Sequence, residues 1–187
     1  KNCINFFKNN YKIRKYSKNL KISKKENAYF LHLSGMTSVS KSFQNPYLTL
    51  MTNIRLMIES LEFCKKKNIK FIFFSTAYQK DNGKFASPYS FSKNICEEIC
   101  KFYSENFKMD ICVVRLSNIY GKYQTKQLVP DILRKLKTNK RIDVINYNLY
   151  RDFLYIKDLI FAIQKILNKF PKSINIYNIS QNKNLKI

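Results

Sequence analysis

"IKFIFFST", residues 69 to 76, contains the strongest strand pattern in the chain. Isoleucine and phenylalanine follow one another without the alternating polar residues that mark a strand with one solvated face. Such a run is typical of a strand that is covered by helices on both faces. The sequence therefore predicts a central strand of a parallel sheet at this position.

The segments on either side alternate between strand and helix patterns. Further strands are predicted at 11–17, 28–34, 110–117 and 141–145, and helices at 45–68, from Ser87 onwards, at 128–139 and at 156–170. This alternation predicts an α/β fold with a Rossmann-like, doubly wound parallel sheet flanked by helices. Binding sites in such sheets lie at the carboxyl ends of the strands, where Thr76 and Ser117 fall.

Length and charge limit the function classes. A chain of 187 residues with 45% hydrophobic residues predicts one globular domain over 1–187. Neither a long apolar run nor a signal-peptide pattern is visible, so we expect a cytoplasmic protein that makes no membrane contact.

The net charge of +23 is spread along the chain and matches an A/T-biased coding sequence, which favours solvated lysines and no nucleic-acid partner. A basic nucleic-acid binder remains a weaker alternative.

The five cysteines and one histidine form no recognisable metal-ligand pattern in the sequence. The cysteines are odd in number and lack a CxxC pair, and His32 is the single imidazole. Cys96 and Cys100 lie one helical turn apart, which a buried helix face explains. We therefore expect structural thiols, no metal site, and a packing role for His32.

Tyr89 and Lys93 stand four residues apart in "SPYSFSK", residues 87 to 93. With 13 tyrosines and 35 lysines and arginines, roughly two such pairs arise by chance, so the spacing alone carries little weight. Tyr11 and Lys15 have the same spacing on a predicted strand, where it corresponds to about 13 Å. On a helix the spacing is one turn, which lets an ammonium favour a phenolate.

Five blocks in order resemble the extended short-chain dehydrogenase/reductase family, the NAD(P)-dependent epimerases and dehydratases that act on nucleotide-sugars. The blocks are "HLSGMTSVSKSFQNP" (32–46), "TNIRLMIESLEFCKKKNIKFIFFST" (52–76), "SPYSFSK" (87–93), "VVRLSNIYG" (113–121) and "RDFLYIKDLIFAI" (151–163). The resemblance implies a nucleotide-sugar epimerase or ketoreductase with NAD or NADP as cofactor. Ala77 and Tyr78 replace the Asp-Glu pair of dehydratases that eliminate water, which favours epimerase or reductase chemistry.

The same resemblance implies roles for individual residues. Tyr89 would be the acid/base, Lys93 would favour its phenolate and bind the nicotinamide ribose, and Thr76 would orient the substrate hydroxyl. Further cofactor contacts would come from Ser34, Gly35, Met36, Asn53 and Ser117, with Lys18 placed to meet the 2′-phosphate of NADP. Asn118 and Arg151 would hold the substrate diphosphate, which a guanidinium fork suits.

The resemblance also predicts what lies around the site. The family's G-x-x-G-x-x-G loop and first strand are absent from the sequence, so we expect an incomplete Rossmann-like domain in which 118–187 begins the substrate-binding lobe. A homodimer is expected through the helices Asn53 to Lys67 and Tyr89 to Phe107. The alternative to an enzyme is a non-catalytic Rossmann-like binding protein that has lost its phosphate loop.

Overall fold

A computed structural model describes residues 7, 11–14, 27–81, 83–124, 128–138, 141 and 150–186. Its helices are α1 (Val39–Gln44), α2 (Pro46–Lys67), α3 (Pro88–Phe107), α4 (Leu128–Lys137) and α5 (Ile156–Asn168). Its strands are β1 (Tyr29–His32), β2 (Lys70–Thr76), β3 (Lys80–Asp81), β4 (Lys84–Phe85), β5 (Ile111–Leu116), β6 (Asn118–Tyr120), β7 (Tyr150–Tyr155), β8 (Ile174–Ile179) and β9 (Asn184–Lys186).

The chain divides into two compact units. The first, which we call the sheet unit, comprises Lys21–Leu116 and Ile166–Asn178. The second, which we call the pocket unit, comprises Lys1–Leu20, Ser117–Lys165 and Ile179–Ile187. The expectation of one domain whose substrate lobe begins at 118 stays a prediction, and each unit is described by itself.

A four-stranded sheet in the order β1-β2-β5-β8 forms the centre of the fold. Strands β1, β2 and β5 are parallel, with Phe30 opposite Phe71 and Phe73 opposite Val113. Helix α2 connects β1 to β2 and helix α3 connects β2 to β5, as parallel neighbours require. The prediction of a Rossmann-like parallel α/β sheet flanked by helices is confirmed.

The core of the sheet unit lies between helices α2 and α3 and one face of the sheet. Its fully buried side chains are Met57 and Leu61 of α2, Cys96 and Cys100 of α3, Phe71 and Phe73 of β2, and Ile111 and Val113 of β5. Each large apolar side chain that is removed from water contributes about 1.5–3 kcal/mol to folding. The apolar run of β2 therefore anchors the whole unit.

Local sequence signals fix the ends of α2. The Asn45 side chain accepts a hydrogen bond from the Leu48 N–H at 2.9 Å, and Pro46 occupies the first turn, where no N–H is needed. At the other end Asn68 adopts a left-handed conformation with φ of 53°. Three lysines in the last turn lie where the helix dipole is negative.

In the pocket unit β6 pairs with β7 in parallel and β7 pairs with β9 antiparallel. The buried Asp152 of β7 accepts hydrogen bonds from the N–H groups of Gln181 at 3.0 Å and Lys183 at 2.9 Å. Burial raises the pKa of Asp152, but the nearby Ser117 hydroxyl and these backbone bonds outweigh it and lower the pKa below its ordinary value. An ionised carboxylate therefore fixes the turn before β9.

Several predicted elements need correction. Tyr11–Arg14 form no strand, and the rest of the predicted strand at 11–17 lies outside the described residues. The strand predicted at 141–145 falls on residues that are not described, apart from Arg141. Helix α1, the β3–β4 hairpin and strand β7 were not among the elements predicted from the sequence. Within the described residues, none of the helices has the length and apolar character that a bilayer crossing needs.

Candidate active site

The first group of site residues lies where β2 ends and α3 begins. Thr76 is the last residue of β2, and its hydroxyl accepts a hydrogen bond from the Tyr78 N–H at 3.2 Å. Lys93 of α3 donates from Nζ to the Phe74 carbonyl oxygen at 2.8 Å. The lysine therefore ties the helix to the strand two residues before Thr76.

The start of α3 is firmly capped. Ser87 and Ser90 form a reciprocal capping box, in which the Ser90 N–H donates to Ser87 Oγ at 3.1 Å and the Ser87 N–H donates to Ser90 Oγ at 2.8 Å. Pro88 occupies the first turn. Tyr89 consequently sits in the first turn, where the positive end of the helix dipole favours negative charge.

Lys93 and Tyr89 lie close together on α3. The Lys93 Nζ atom is 5.9 Å from the centre of the Tyr89 ring and 4.7 Å from the centre of the Phe73 ring. Lys93 is 7% exposed, which is rare for lysine and means that its ammonium is largely desolvated. The four-residue spacing in the sequence therefore corresponds to a real neighbourhood in a buried environment.

Burial controls the protonation of both groups. It raises the pKa of Tyr89 to about 12 and lowers the pKa of Lys93 to about 8. The sequence had led us to expect that Lys93 would lower the pKa of the phenol. Desolvation instead raises it, since a phenolate at this position would lose its hydration, and no lowering by Lys93 offsets this. Tyr89 is therefore a phenol at neutral pH.

The loop after β1 holds the predicted cofactor residues Ser34, Gly35 and Met36. Asn53 of α2 clamps this loop, because its Oδ1 accepts the Met36 N–H at 2.7 Å and its Nδ2 donates to the Met36 carbonyl oxygen at 3.1 Å. The same amide donates to Ser92 Oγ on α3 at 2.8 Å. Gly35 has a φ of 133°, and an added Cβ would lie 2.7 Å from Asn53 Oδ1. The loop thus needs glycine and presents exposed backbone at the carboxyl end of β1.

His32 and the cysteines are buried beside this site. His32 is 3% exposed, its Nδ1 lies 3.1 Å from Ser60 Oγ, and burial followed by the charge of Lys93 lowers its pKa to about 4. Burial raises the pKa of the Cys96 thiol to about 12 and raises that of Cys100 as well. Within the described residues no group of three metal-ligating side chains occurs. His32 and the thiols are neutral core groups at pH 7.

The pocket unit brings Asn118 and Arg151 together. Both line a pocket of about 300 Å³, together with Ile119, Gln124, Leu128, Val129, Pro130 and Phe153. Leu128, Val129 and Pro130 come from the first turn of α4 and Ile119 comes from β6. Arg151 donates to the Tyr150 carbonyl oxygen at 3.0 Å. The sequence did not assign these apolar lining residues, although Leu128 to Pro130 open a predicted helix, which is a common place for a binding surface.

Two further predicted cofactor residues are Ser117 and Lys18. Ser117 is buried in the pocket unit, where its hydroxyl helps to lower the pKa of Asp152. Lys18 falls outside the described residues. The roles of Thr76, Tyr89, Lys93 and the other assigned residues stay predictions.

The parallel sheet and a helix that opens with the half-buried Tyr89 and the buried Lys93 define a Rossmann-like protein of the short-chain dehydrogenase type. The model of the NAD dependent epimerase/dehydratase family matches residues 9–180. The chain belongs to this family.

Individual relatives agree with this assignment. The chain is 30% identical over 174 residues to dTDP-D-glucose 4,6-dehydratase from Dictyostelium discoideum, which covers 80% of this chain and 40% of the relative. A solved UDP-N-acetylglucosamine 4-epimerase from Methanobrevibacter ruminantium M1, in complex with UDP-N-acetylmuramic acid, has a TM-score of 0.76 at 23% identity over 86% of this chain. A solved dTDP-glucose 4,6-dehydratase from Streptomyces venezuelae with NAD and TYD bound has a TM-score of 0.77 at 20% identity over 85% of this chain.

The chain spans only part of each of these proteins. It covers 40% of the Dictyostelium relative, 57% of the epimerase structure and 53% of the dehydratase structure. At this identity the structural likeness establishes the fold alone. The activity, substrate and partners of the whole protein are therefore matters for proposal.

Proposed function

We propose that the protein is an NAD(P)-dependent nucleotide-sugar epimerase or ketoreductase in which Tyr89 is the acid/base group. The observation that carries this proposal is the 5.9 Å approach of Lys93 Nζ to the Tyr89 ring, in the capped first turns of a helix that follows the strand ending in Thr76. Ala77 and Tyr78 replace the acidic pair of dehydratases, so elimination of water is not part of the proposal.

The proposed proton transfer follows from the protonation states. Tyr89 is a phenol at neutral pH, which makes it ready to donate a proton to a sugar carbonyl oxygen. In the opposite direction the phenolate form of Tyr89 accepts the hydroxyl proton, and the Lys93 ammonium and the helix dipole stabilise this phenolate. Thr76 orients the hydroxyl toward Tyr89. When bound, the nicotinamide cofactor supplies or accepts the hydride.

The residues around β1 fit such a cofactor. The loop at Ser34 to Met36 lies at the carboxyl end of β1, and its Ser34 and Gly35 are exposed there. Asn53 would hold this loop in shape. In this proposal Lys18 would contact the 2′-phosphate that distinguishes NADP from NAD.

The pocket of Asn118 and Arg151 is the proposed site for the nucleotide part of the substrate. Arg151 and Asn118 provide donors for a diphosphate, and Leu128, Val129 and Phe153 provide apolar surface for a base. Such a mixture of a few polar groups and an apolar lining suits a nucleoside diphosphate. The sugar itself is not specified by these residues.

Exposed apolar side chains support pairing of two chains through α2 and α3. Met51 and Ile58 of α2 are 50% and 39% exposed, and Phe91 and Phe102 of α3 are 38% and 54% exposed. Two helices per subunit with apolar outer faces suit a twofold four-helix interface. We therefore include a homodimer in the proposal, and we expect it to act in the cytoplasm.

A turnover assay on the full-length protein tests the proposed function. The measurement is the conversion of UDP-, GDP- and dTDP-sugars with NAD and NADP by the wild type, Tyr89→Phe and Lys93→Met. We expect each variant to lower kcat by about 10²- to 10⁴-fold, the usual contribution of an acid/base group. The matched control is Tyr47→Phe, because Tyr47 lies on α2 and is 73% exposed.

The possible results separate the candidate functions. Equal turnover by wild type and Tyr89→Phe would remove the catalytic assignment. Cofactor binding without turnover of any nucleotide-sugar would favour the alternative, a non-catalytic Rossmann-like binding protein.

A further inference from the structure

Glu97 is a fully buried carboxylate that the proposed proton transfer does not use. It lies on α3, one helical turn after Lys93, and is 0% exposed. Removing a charge from water costs several kcal/mol, so a buried carboxylate persists only where partners satisfy it. The partners of Glu97 therefore indicate what it does.

Three side chains from outside α3 converge on Glu97. Arg115 of β5 donates from Nε to both carboxylate oxygens at 3.1 Å and from Nη2 to Oε2 at 2.6 Å. Ser75 of β2 donates to Oε1 at 2.5 Å. Ser75 and Arg115 are opposite each other in the parallel register of β2 and β5. One carboxylate thus joins the next-to-last residues of two neighbouring strands to the helix.

The third partner extends this connection into the loop between β2 and α3. Gln79 donates from Nε2 to Glu97 Oε1, and its own Oε1 accepts from Asn94 Nδ2 of α3 at 3.3 Å. The Gln79 carbonyl oxygen accepts the Ala86 N–H at 3.1 Å, which closes the two ends of the loop. The loop, described at 77–81 and 83–86, is therefore attached to α3 through Gln79.

Thr76 lies between these attachments. The residue two before it, Phe74, accepts from Lys93, and the residue just before it, Ser75, donates to Glu97. We propose that Glu97 is a positioning residue that fixes Thr76 and the loop at 77–86 against α3, and so sets Thr76 relative to Tyr89. This inference rests on the proposed function for its catalytic meaning.

Glu97 also belongs to the electrostatic surroundings of Lys93. The charged and titratable groups around the two residues are Arg115 on β5, His32 on β1, and Tyr89, Cys96, Glu98 and Cys100 on α3. The thiolates of Cys96 and Cys100 would raise the pKa of Lys93, but burial keeps both thiols protonated. The carboxylate of Glu97 is therefore the charge on α3 that favours the Lys93 ammonium at neutral pH.

A purely structural role makes a different prediction from a positioning role. Replacing a buried ion pair by apolar residues of similar size often preserves stability. The double variant Glu97→Met with Arg115→Met should therefore fold. If Glu97 only stabilises the core, this variant should have the hydrogen exchange and the kcat of the wild type. If Glu97 positions Thr76 and the loop, the variant loses the attachment of Ser75 and Gln79 even when its stability is kept.

Amide hydrogen exchange in the full-length protein tests the inference without requiring activity. We expect exchange at 77–86 to be at least about tenfold faster in the double variant and in Gln79→Ala, while exchange in α2 is unchanged. Gln79→Ala keeps the Glu97–Arg115 pair, so it remains informative if the double variant does not fold. Lys84→Ala, an exposed change in the same loop, is the matched control and should exchange like the wild type.

Turnover adds the catalytic part of the test. We expect the double variant to lower kcat by about 10- to 100-fold with little change in KM for the nucleotide-sugar, because a misplaced group costs rate rather than affinity. Unchanged exchange at 77–86, or wild-type kcat together with fast exchange, would overturn the positioning role. An inactive wild type would instead overturn the proposed function, and the exchange result would still decide whether Glu97 holds the loop.

Discussion

Desolvation acts in opposite directions on the acids and bases around Tyr89. It raises the pKa of the phenol and lowers the pKa of both Lys93 and His32, because in each case the charged form loses its hydration. All three groups are thereby moved toward their neutral forms. At neutral pH Tyr89 and His32 are therefore uncharged, while Lys93, with a pKa of about 8, is still mainly an ammonium.

The spacing of Tyr89 and Lys93 could be recognised in the sequence, but their protonation could not. A four-residue interval on a helix fixes which side chains are neighbours. Burial depends on the strands and helices that pack around the pair, such as Phe73 of β2, and no local pattern reports it. Glu97 shows the same limit, since a glutamate in an amphipathic helix is ordinarily solvated.

His32 should make the protein sensitive to acid. Its pKa in the folded chain, about 4, lies below the ordinary 6.5, so its contribution to stability is complete above pH 6.5 and is lost as the pH falls toward 4. The difference corresponds to about 3 kcal/mol of unfolding free energy. Urea denaturation at pH 7, 5.5 and 4 should show that His32→Gln loses less stability over this range than the wild type.

A matched variant isolates the titration from the packing. Ser60→Ala removes the hydrogen-bond partner of His32 but keeps the imidazole, so the acid-dependent loss should persist. Identical pH dependence in His32→Gln and wild type would contradict the assignment of a buried neutral imidazole.

At the level of elements, helix α2 shapes the loop that follows β1. The Asn53 side chain satisfies both backbone groups of Met36 and reaches Ser92 on α3, so a single amide connects a loop and two helices. Only an amide side chain can accept and donate in this way. The arrangement explains why Gly35 is adjacent, since a Cβ there would collide with Asn53.

Asn53→Ala should destabilise the sheet unit and loosen the loop. Three hydrogen bonds are lost and the Met36 backbone groups lose their partner, for which we expect a decrease of about 2–3 kcal/mol in unfolding free energy. Ser92→Ala removes one of these three bonds, together with the bond from Ser92 Oγ to the Tyr89 carbonyl oxygen, but leaves Met36 paired and should cost about 1 kcal/mol. Equal losses in the two variants by urea denaturation would show that Asn53 does not clamp the loop.

The long elements were predictable and the short ones were not. Extended apolar patterns mark helices α2 and α3 and strand β2, and the two helices also have clear caps. The observed bounds of all three elements lie within a few residues of the prediction. Helix α1 has six residues and the strands of the β3–β4 hairpin have two each. Elements this short contain too few residues to show a period, and tertiary contacts decide them.

For the whole molecule, the exposed faces of α2 and α3 predict association. The side chains of Met51 and Phe102, both at least half exposed, would lie at the centre of a twofold interface. Met51→Glu or Phe102→Glu should place like charges against each other and weaken the dimer by at least about 100-fold. Sedimentation of the full-length protein should therefore show monomers.

Phe161→Glu is the control for this prediction. Phe161 is 57% exposed on α5, outside the proposed interface, so its replacement should leave the dimer intact. A wild type that sediments as a monomer, or dimerisation that survives both helix variants, would contradict pairing through these helices.

The most direct test of the whole account is single-turnover hydride transfer in the full-length protein. Oxidised cofactor and nucleotide-sugar are mixed with excess protein, and the absorbance of the reduced nicotinamide is followed in wild type and Tyr89→Phe. The account predicts rapid reduction by the wild type and a rate about 10²- to 10⁴-fold lower in the variant, with sugar binding unchanged. Equal rates in the two proteins would contradict the assignment of Tyr89 as the acid/base.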